Sequence, residues 1–421
     1  MATDPGIIAK ALASACESVR PGSSADAVGG ITPSFVASPS SVAEASAVMR
    51  AACEHGLAVT ARGSGSRLGW GASPRACDLV VDTLGMGQVI EHAVGDLVAR
   101  VQAGARFGEV ASVLAAAGQE IALDVPATST IGGIIADALA GPRRLRYGSP
   151  RDVLIGVTLV RADGTVAHAG GKVVKNVAGY DLGKLLAGSA GTLGLIVEAT
   201  FRLHPLPAAR AWVTAEFLDS EAAAASVAAA ANSPLVASAV DVHRARPAGP
   251  VSAGVLLEGS AEGVAVRAGR MAGLLSSCAP SALAREPTAA PVAPPWWAPL
   301  PPFDDGTLLR VTFWVSALAR VLDAIDAAAR QTGTSPVVHG SAGAGLLYVT
   351  LPGRPGAGPV TRLADIIAAA IPAGRGSVVV VAGEGRSASA IPGAGLMRSV
   401  KDQFDPDGRL SPGRIFEREA P

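Results

Sequence analysis

Residues 171–203 read GKVVKNVAGYDLGKLLAGSAGTLGLIVEATFRL, and no other stretch narrows the fold as far. Strand-like residues lead into Lys175-Asn176, then a turn at Gly179-Tyr180-Asp181-Leu182 and a short apolar helix. Glycines at 188, 191 and 194 follow before an apolar run resumes at Leu195. A backbone lies flat against a planar or phosphorylated ligand only where no Cβ intervenes, and glycine alone takes positive φ without strain. The stretch therefore reads as a ligand-carrying loop. A plainer reading stays open, in which Gly188 and Gly191 allow close helix–strand packing and Asp181 caps the next helix.

Two earlier turns share this character. Arg62-Gly63-Ser64-Gly65-Ser66 follows the apolar strand Leu57–Ala61. The segment Pro126-Ala127-Thr128-Ser129-Thr130-Ile131-Gly132-Gly133 sets hydroxyls and a double glycine ahead of a short helix. Common nucleotide motifs fail on spacing. A dinucleotide fingerprint needs a third glycine where Leu68 stands. A P-loop fails because Gly171-Lys172 runs into Val173, with Val166 where its first glycine belongs. What remains at 62–66 is a turn of small residues whose N–H groups can form an anion-binding nest.

In this order, with Tyr147-Gly148, Arg151-Asp152 and Ile196, these turns resemble the FAD-binding domain of the vanillyl-alcohol oxidase (PCMH-type) flavoprotein family. Within that family the chain is most similar to the E-subunit branch of glycolate oxidases. The resemblance is strongest over 30–207. It implies an α+β chain: an N-terminal helix and linker over 1–29, a two-part PCMH-type FAD-binding domain over 30–207, and an α+β domain over 208–421 whose antiparallel sheet is covered by helices. It also implies cofactor-binding positions at Arg62, Gly63, Ser64, Gly65, Ser66, Pro126, Ala127, Thr128, Ser129, Thr130, Ile131, Gly132, Gly133, Tyr147, Gly148, Gly191, Gly194 and Ile196. Some members attach flavin through a histidine in the first glycine loop. Positions 62–70 hold none, so FAD is expected to be non-covalent. Lys172 and Lys175 are candidates either to favour a reduced flavin anion or to be solvated. Arg151-Asp152 is expected to be a loop-fixing ion pair.

Members that act directly on 2-hydroxy acids carry a His-Ala-Gly-Asp-Gly-Asn-Leu-His segment in the second domain. The matching stretch here is Ser341-Ala342-Gly343-Ala344-Gly345-Leu346-Leu347-Tyr348, which keeps the glycines and loses every proton-handling or metal-binding group. His339 lies out of register and reads as structural. No metal site and no catalytic residue is assigned. Glycolate-to-glyoxylate oxidation would then be completed by a paralogous catalytic flavin subunit and an iron–sulfur subunit, with a small 2-hydroxy acid as the substrate of the complex. The alternatives are a self-sufficient dehydrogenase of another 2-hydroxy acid or alcohol, and an assembly subunit without flavin.

Composition fits this expectation. Lys plus Arg equals Asp plus Glu at 35 each, which leaves no electrostatic footprint for nucleic acid. Cys16, Cys53, Cys77 and Cys278 form no C-x-x-C unit, so no cluster or zinc site is signalled and buried free thiols are expected. No run reaches the roughly 18 apolar residues of a membrane span. The N-terminus lacks a basic, apolar leader, so the chain reads as cytoplasmic or peripheral to the inner face of the membrane, touching it only through partners.

Strand and helix patterns alternate on both sides of Pro205-Leu206-Pro207. The patterns expected include a helix over 4–19, a helix over 41–55, a strand at Leu79–Asp82, and a hairpin at Asp163-Gly164. Beyond 207, strand-helix-strand units are expected at 211–242 and 306–339, with further strands at 345–351 and 377–382. Residues 286–305 hold seven prolines and Trp296-Trp297, and read as an irregular surface loop. Those tryptophans are candidates for a lid, for a subunit contact, or for packing on their own domain. The ending LMRSVKDQFDPDGRLSPGRIF at 396–416 is expected to close the chain, and Arg310 is a candidate for a carboxylate or a partner. Arg143, Arg144, Arg146 and Arg151 are candidates for an acidic partner or a solvated loop.

Overall fold

The computed structural model describes residues 4–172, 181–298, 300, 306–388 and 393–415. The expectations for Lys175, Asn176, Gly179 and Tyr180 lie outside the described residues. The chain divides into two compact units, one of Met1–Leu139, Ser149–Leu206 and Gly393–Pro421, the other of Ala140–Gly148 and Pro207–Pro392. This departs from the expected linear division in two places, at 140–148 and from Gly393 onward.

The first unit holds two main sheets. In the first, β1 (Val19–Pro21), β2 (Phe35–Ala37), β3 (Val59–Arg62) and β4 (Leu79–Asp82) run in the order β1-β2-β4-β3. Strands β2, β4 and β3 are parallel. Parallel neighbours need a crossover, and the helix Val42–Glu54 supplies it between β2 and β3. Ser41 starts that helix by accepting from the Glu44 N–H. Its Val48, Met49 and Ala52 pack into one core with Val59, Leu79 and Val81. The N-terminal helix stops at Ala15 rather than Val19, because Val19–Pro21 is drawn into pairing with Phe35–Ala37.

The second sheet is antiparallel, β5-β6-β10-β8-β9, built from β5 (Val89–Ala93), β6 (Val98–Gln102), β8 (Leu154–Val160), β9 (Val166–Gly170) and β10 (Leu195–Arg202). A small pair, β7 (Gln119–Glu120) with β11 (His204–Pro205), stands beside it. Asp163-Gly164 turns β8 into β9 as expected, with Gly164 at φ +82° and the Asp163 carboxylate accepting from Thr165 N–H. The C-terminal segment returns to this unit because it pairs with β3: Val59 N–H donates to Arg409 O, and Ser411 N–H to Val59 O.

The second unit is one antiparallel sheet of eight strands. They are β12 (Ala209–Phe217), β13 (Ala239–Arg244), β14 (Val251–Gly259), β15 (Leu283–Ala290), β16 (Thr307–Thr312), β17 (Val337–Gly340), β18 (Leu346–Leu351) and β19 (Ser377–Ala382). Their order is β15-β12-β14-β13-β17-β18-β16-β19. Alternate side chains, among them Val213, Ala215, Phe217, Val255, Val311 and Val349, form one core with the helices Ser220–Ala231, Ala261–Cys278, Leu318–Thr332 and Ala357–Ala369. This is the expected sheet with helices on one face, and period-two alternation sends Trp212, His243, His339, Tyr348 and Arg310 to the other. Residues 140–148 join this unit because Arg143 and Tyr147 both bond to Glu258 on β14.

The described start of the proline-rich segment is regular structure rather than loop. It lies in edge strand β15, where a proline such as Pro287 is tolerated because one side of the strand carries no partner. Among the described residues no helix is long and apolar enough to cross a membrane.

A buried ion pair ties the second unit together. Arg244 on β13 meets Asp326 at 2.7 Å and Ser220 Oγ at 2.9 Å, and Asp326 also accepts from Ala248 N–H. Removing one partner strands the other charge, so Arg244→Met is expected to destabilise the protein by about 3 kcal/mol. Denaturant unfolding followed by circular dichroism measures this, and an unchanged midpoint would refute it.

Candidate functional site

A cleft opens in the first unit at the end of β3. Parallel β3 delivers Arg62 to its rim, but the guanidinium points away from any ligand role: it binds Asp26 at 2.9 Å and Asp82 at 2.8 Å. Asp26 is buried and also takes Arg20 and Ser23. Hydrogen bonds from Arg20, then Arg62, hold its carboxyl far below the usual carboxylate range. Arg62 therefore clamps the start of the loop and leaves the backbone beyond it free.

Beyond the clamp the chain presents bare backbone. Gly65 sits at φ +75°, and the N–H groups of Ser64, Gly65 and Ser66 make no hydrogen bond among the described residues. At Gly63 a Cβ would meet Thr130 Oγ1 at 2.1 Å, so the loop lies hard against the second turn. Thr130 caps the helix Ile131–Ala136 through its hydroxyl. Gly132, Gly133, Ala136 and Asp137 continue the wall, and Ala190, Gly191, Gly194 and Ile196 close the opposite side. Gly191 needs its φ of +71°; Gly194 has a packing reason as well, since a Cβ there would reach Leu159 Cδ1 at 2.7 Å.

The structure thus brings together Arg62, Gly63, Ser64, Gly65, Ser66, Thr130, Gly132, Gly133, Gly191, Gly194 and Ile196. The remaining sequence-predicted residues are not among those lining the cleft. Ala127 and Ser129 carbonyls accept from Gly108 and Phe107, which ties the Pro126–Ser129 turn to the start of the helix Phe107–Ala115, and Thr128 is exposed. Ile131 is core. Tyr147 and Gly148 belong to the second unit, where the Tyr147 hydroxyl donates to Glu258 at 3.1 Å. Their consecutive placement on short turns gave no hint of which way each turn faces.

Several lining residues escaped the sequence reading. Arg67 bonds Asp137 at 2.8 Å and Ser129 Oγ at 3.2 Å, bracing the first turn against the second. Ser411 and Arg414 come from the C-terminal segment. No local pattern could announce them, because their partners lie more than three hundred residues earlier. Among the described residues Arg151-Asp152 forms no ion pair; Asp152 instead accepts from Ser149 N–H and Oγ as a capping box. Asp181 pairs with Lys184 rather than capping, and Lys172 pairs with Glu91 at 2.5 Å.

The sheet face of the second unit turned away from its helices has a different character. Cross-strand neighbours place Ser252, His243, His339, Tyr348 and Arg310 side by side across five strands. Trp296 stacks on His243 with ring centroids 5.7 Å apart, and Trp297 packs edge-on to Trp212. Of the readings open for these tryptophans, packing on their own unit is the one the structure displays. His339 Nε2 meets Ala298 O at 3.0 Å, and burial pushes its pKa down to about 4. Burial lowers His243 in the same direction. Ser341 donates to Asp241 at 2.9 Å, and Tyr348 is buried. The glycines kept in 341–348 have a backbone cause: Gly345 sits at φ +67°, where a Cβ would strike Phe313 O at 2.1 Å. Arg143 is buried on Glu258 rather than facing a partner.

Residues 33–170 match the family model described as FAD binding domain. The chain is 36% identical over 197 residues to glycolate oxidase subunit GlcD of Bacillus subtilis (strain 168), covering 46% of this chain and 42% of that protein. It is 36% identical over 124 residues to glycolate oxidase subunit GlcE of Escherichia coli (strain K12), covering 29% of this chain and 35% of that one. The chain thus spans less than half the length of these curated relatives. A solved structure of p-cresol methylhydroxylase with substrate bound has the same fold, with a TM-score of 0.74 at 14% identity over 97% of this chain and 96% of that one. The cleft fits FAD on its own evidence: bare N–H groups and a buried guanidinium suit a diphosphate, and glycine walls suit a flat ring.

Two outcomes follow from this geometry. Gly63→Ala must displace Thr130, and is expected to weaken FAD binding at least about tenfold, the equivalent of roughly 1.4 kcal/mol, in flavin fluorescence titrations. His339 is neutral when folded and ordinary when unfolded, so the unfolded chain binds the extra proton between pH 6.5 and about 4. Stability should therefore fall through that window as pH drops, by on the order of 3 kcal/mol from this group. His339→Gln should flatten the fall; an equally steep profile in the variant would refute the assignment.

Proposed function

As a chain that carries an FAD binding domain of that family, this protein is, we propose, a non-covalent FAD subunit of a 2-hydroxy acid oxidising complex of the glycolate oxidase kind. Bound FAD supplies a hydride acceptor for a carbon that bears a hydroxyl. The chain's own part is to hold that cofactor: the Ser64–Ser66 N–H groups and the Gly132-Gly133 and Gly191 turns form the cradle. Redox enzymes of this class also need a group to take the substrate proton and a cation for its carboxylate.

One observation carries the assignment of a supporting rather than a principal catalytic role. In the second unit, on and beside the sheet face turned away from the helices, the groups that could handle protons are committed to their own unit. His339 is bonded to a backbone carbonyl and neutral at neutral pH, Ser341 is tied to Asp241, and Trp296 covers His243. Catalysis on glycolate is accordingly assigned to a paralogous flavin partner, with electrons leaving through an iron–sulfur subunit.

The purified chain should be yellow, with flavin absorption that acid precipitation releases from the polypeptide. With glycolate and an artificial acceptor it should turn over slowly or not at all until the partner subunits are added. Brisk turnover by the chain alone would sink the supporting role, and a colourless chain that gains no flavin on incubation with FAD would sink the reading as a whole.

A further inference from the structure

Three arginines line the cleft, and they are not equivalent. Arg62 is consumed by Asp26 and Asp82, and Arg67 by Asp137 and Ser129. Arg414 stands apart. It is 8% exposed, its Nη2 donates to the carbonyls of Arg67 at 3.2 Å and Trp70 at 2.9 Å, and its Nη1 is buried with no partner among the described residues. A buried guanidinium N–H left unmade costs more than an ordinary lost hydrogen bond, because the charge has been taken out of water. An anion that reached Nη1 would remove that cost.

The surroundings say which anion. Nη2 is anchored to the carbonyl of Arg67, directly at the exit of the loop whose Ser64, Gly65 and Ser66 N–H groups are also unmade. Successive free N–H groups and a fixed cation at one place form an anion site for a diphosphate. A diphosphate carries negative charge in every redox state of a flavin, which the ring system does not.

Gly413 and the pairing of Ser411 with Val59 deliver the arginine there. Gly413 holds φ +88°, and its would-be Cβ lies 2.8 Å from Arg75, so the chain turns sharply just before Arg414 enters the cleft.

We propose that Arg414 is a diphosphate hook: its free Nη1 donates to the FAD diphosphate, so the C-terminal segment is part of the cofactor site. This rests on the reading of the cleft as an FAD site.

The test measures Kd for FAD, ADP and riboflavin by titration of the full-length apoprotein, in wild type and in Arg414→Gln and Arg414→Lys. A charge-assisted bond of this kind should show as a roughly 10- to 100-fold loss for FAD and for ADP in Arg414→Gln. Riboflavin binding should stay within twofold, Arg414→Lys should recover part of the loss, and free guanidinium should restore FAD affinity to Arg414→Gln. The thermal midpoint of each apoprotein separates a folding defect, since lost carbonyl bonds lower it without distinguishing ADP from riboflavin. Equal FAD affinity in wild type and Arg414→Gln overturns the hook, as does a loss for riboflavin as large as that for FAD. If wild type binds ADP but not FAD, the functional reading fails and the hook is read on ADP; if it binds neither, the hook fails too.

Discussion

The Arg62 clamp is the interaction on which the first unit turns. A loop that offers its backbone to a ligand cannot satisfy that backbone itself. Such a loop survives only if something else holds it in place. Two carboxylates on one guanidinium do so here: Asp82 stands at the end of the neighbouring strand β4, and Asp26 lies in the segment before β2. Asp26 is itself over-determined, since Arg20 and Ser23 bind it from the other side. The Arg62 side chain, expected among the cofactor contacts, is instead what holds that backbone in place.

Much of this was legible in the sequence where the cause is local. Strands ending in glycine turns, the Asp163-Gly164 hairpin and the capped helix after Ser41 depend on residues within a few positions of each other, and the expected elements match those found. The glycines at 63, 65, 132, 133, 191 and 194 line one cleft because each was read for a property of its own backbone. Side-chain direction was not legible. Whether Tyr147 meets a cofactor or Glu258 depends on residues more than a hundred positions away, and so does the choice of Arg143 between a partner and the same glutamate. The strand Val251–Gly259 and the helix Ala261–Cys278 went unread for another reason: the alanines and glycines of this composition blur the polar–apolar contrast on which periodicity depends.

The two units spend polar groups in opposite ways. In the first, ion pairs stand behind the cleft and hold donors toward it. In the second, Arg244–Asp326 and the Glu258 cluster stitch elements to one another, and the histidines of the sheet face turned away from the helices are bonded or stacked within the unit. A catalytic base works when its pKa lies near the operating pH and its proton can be reached. A histidine at about pH 4, with its ring nitrogen on Ala298 O, meets neither condition. In the second unit the glycine turn at 340–345 has a backbone cause, and the histidines near it are taken up in packing.

The C-terminal segment connects these arguments, because it touches both walls of the cleft. Lys401 donates to Thr192 O at 2.7 Å and to Leu410 O at 3.1 Å, and pairs with buried Asp405, which in turn accepts from the N–H groups of Arg409 and Leu410. Burial pulls the Lys401 pKa down, and the Asp405 carboxylate opposes this. Through Thr192 that network grips the loop carrying Gly191; through Ser411 and Val59 it grips β3 and the loop carrying Gly63. The two glycine walls are therefore held at one spacing by a segment far from both in sequence. A cradle without side chains cannot set its own width, and here the setting is supplied by charges and a short strand pairing outside it.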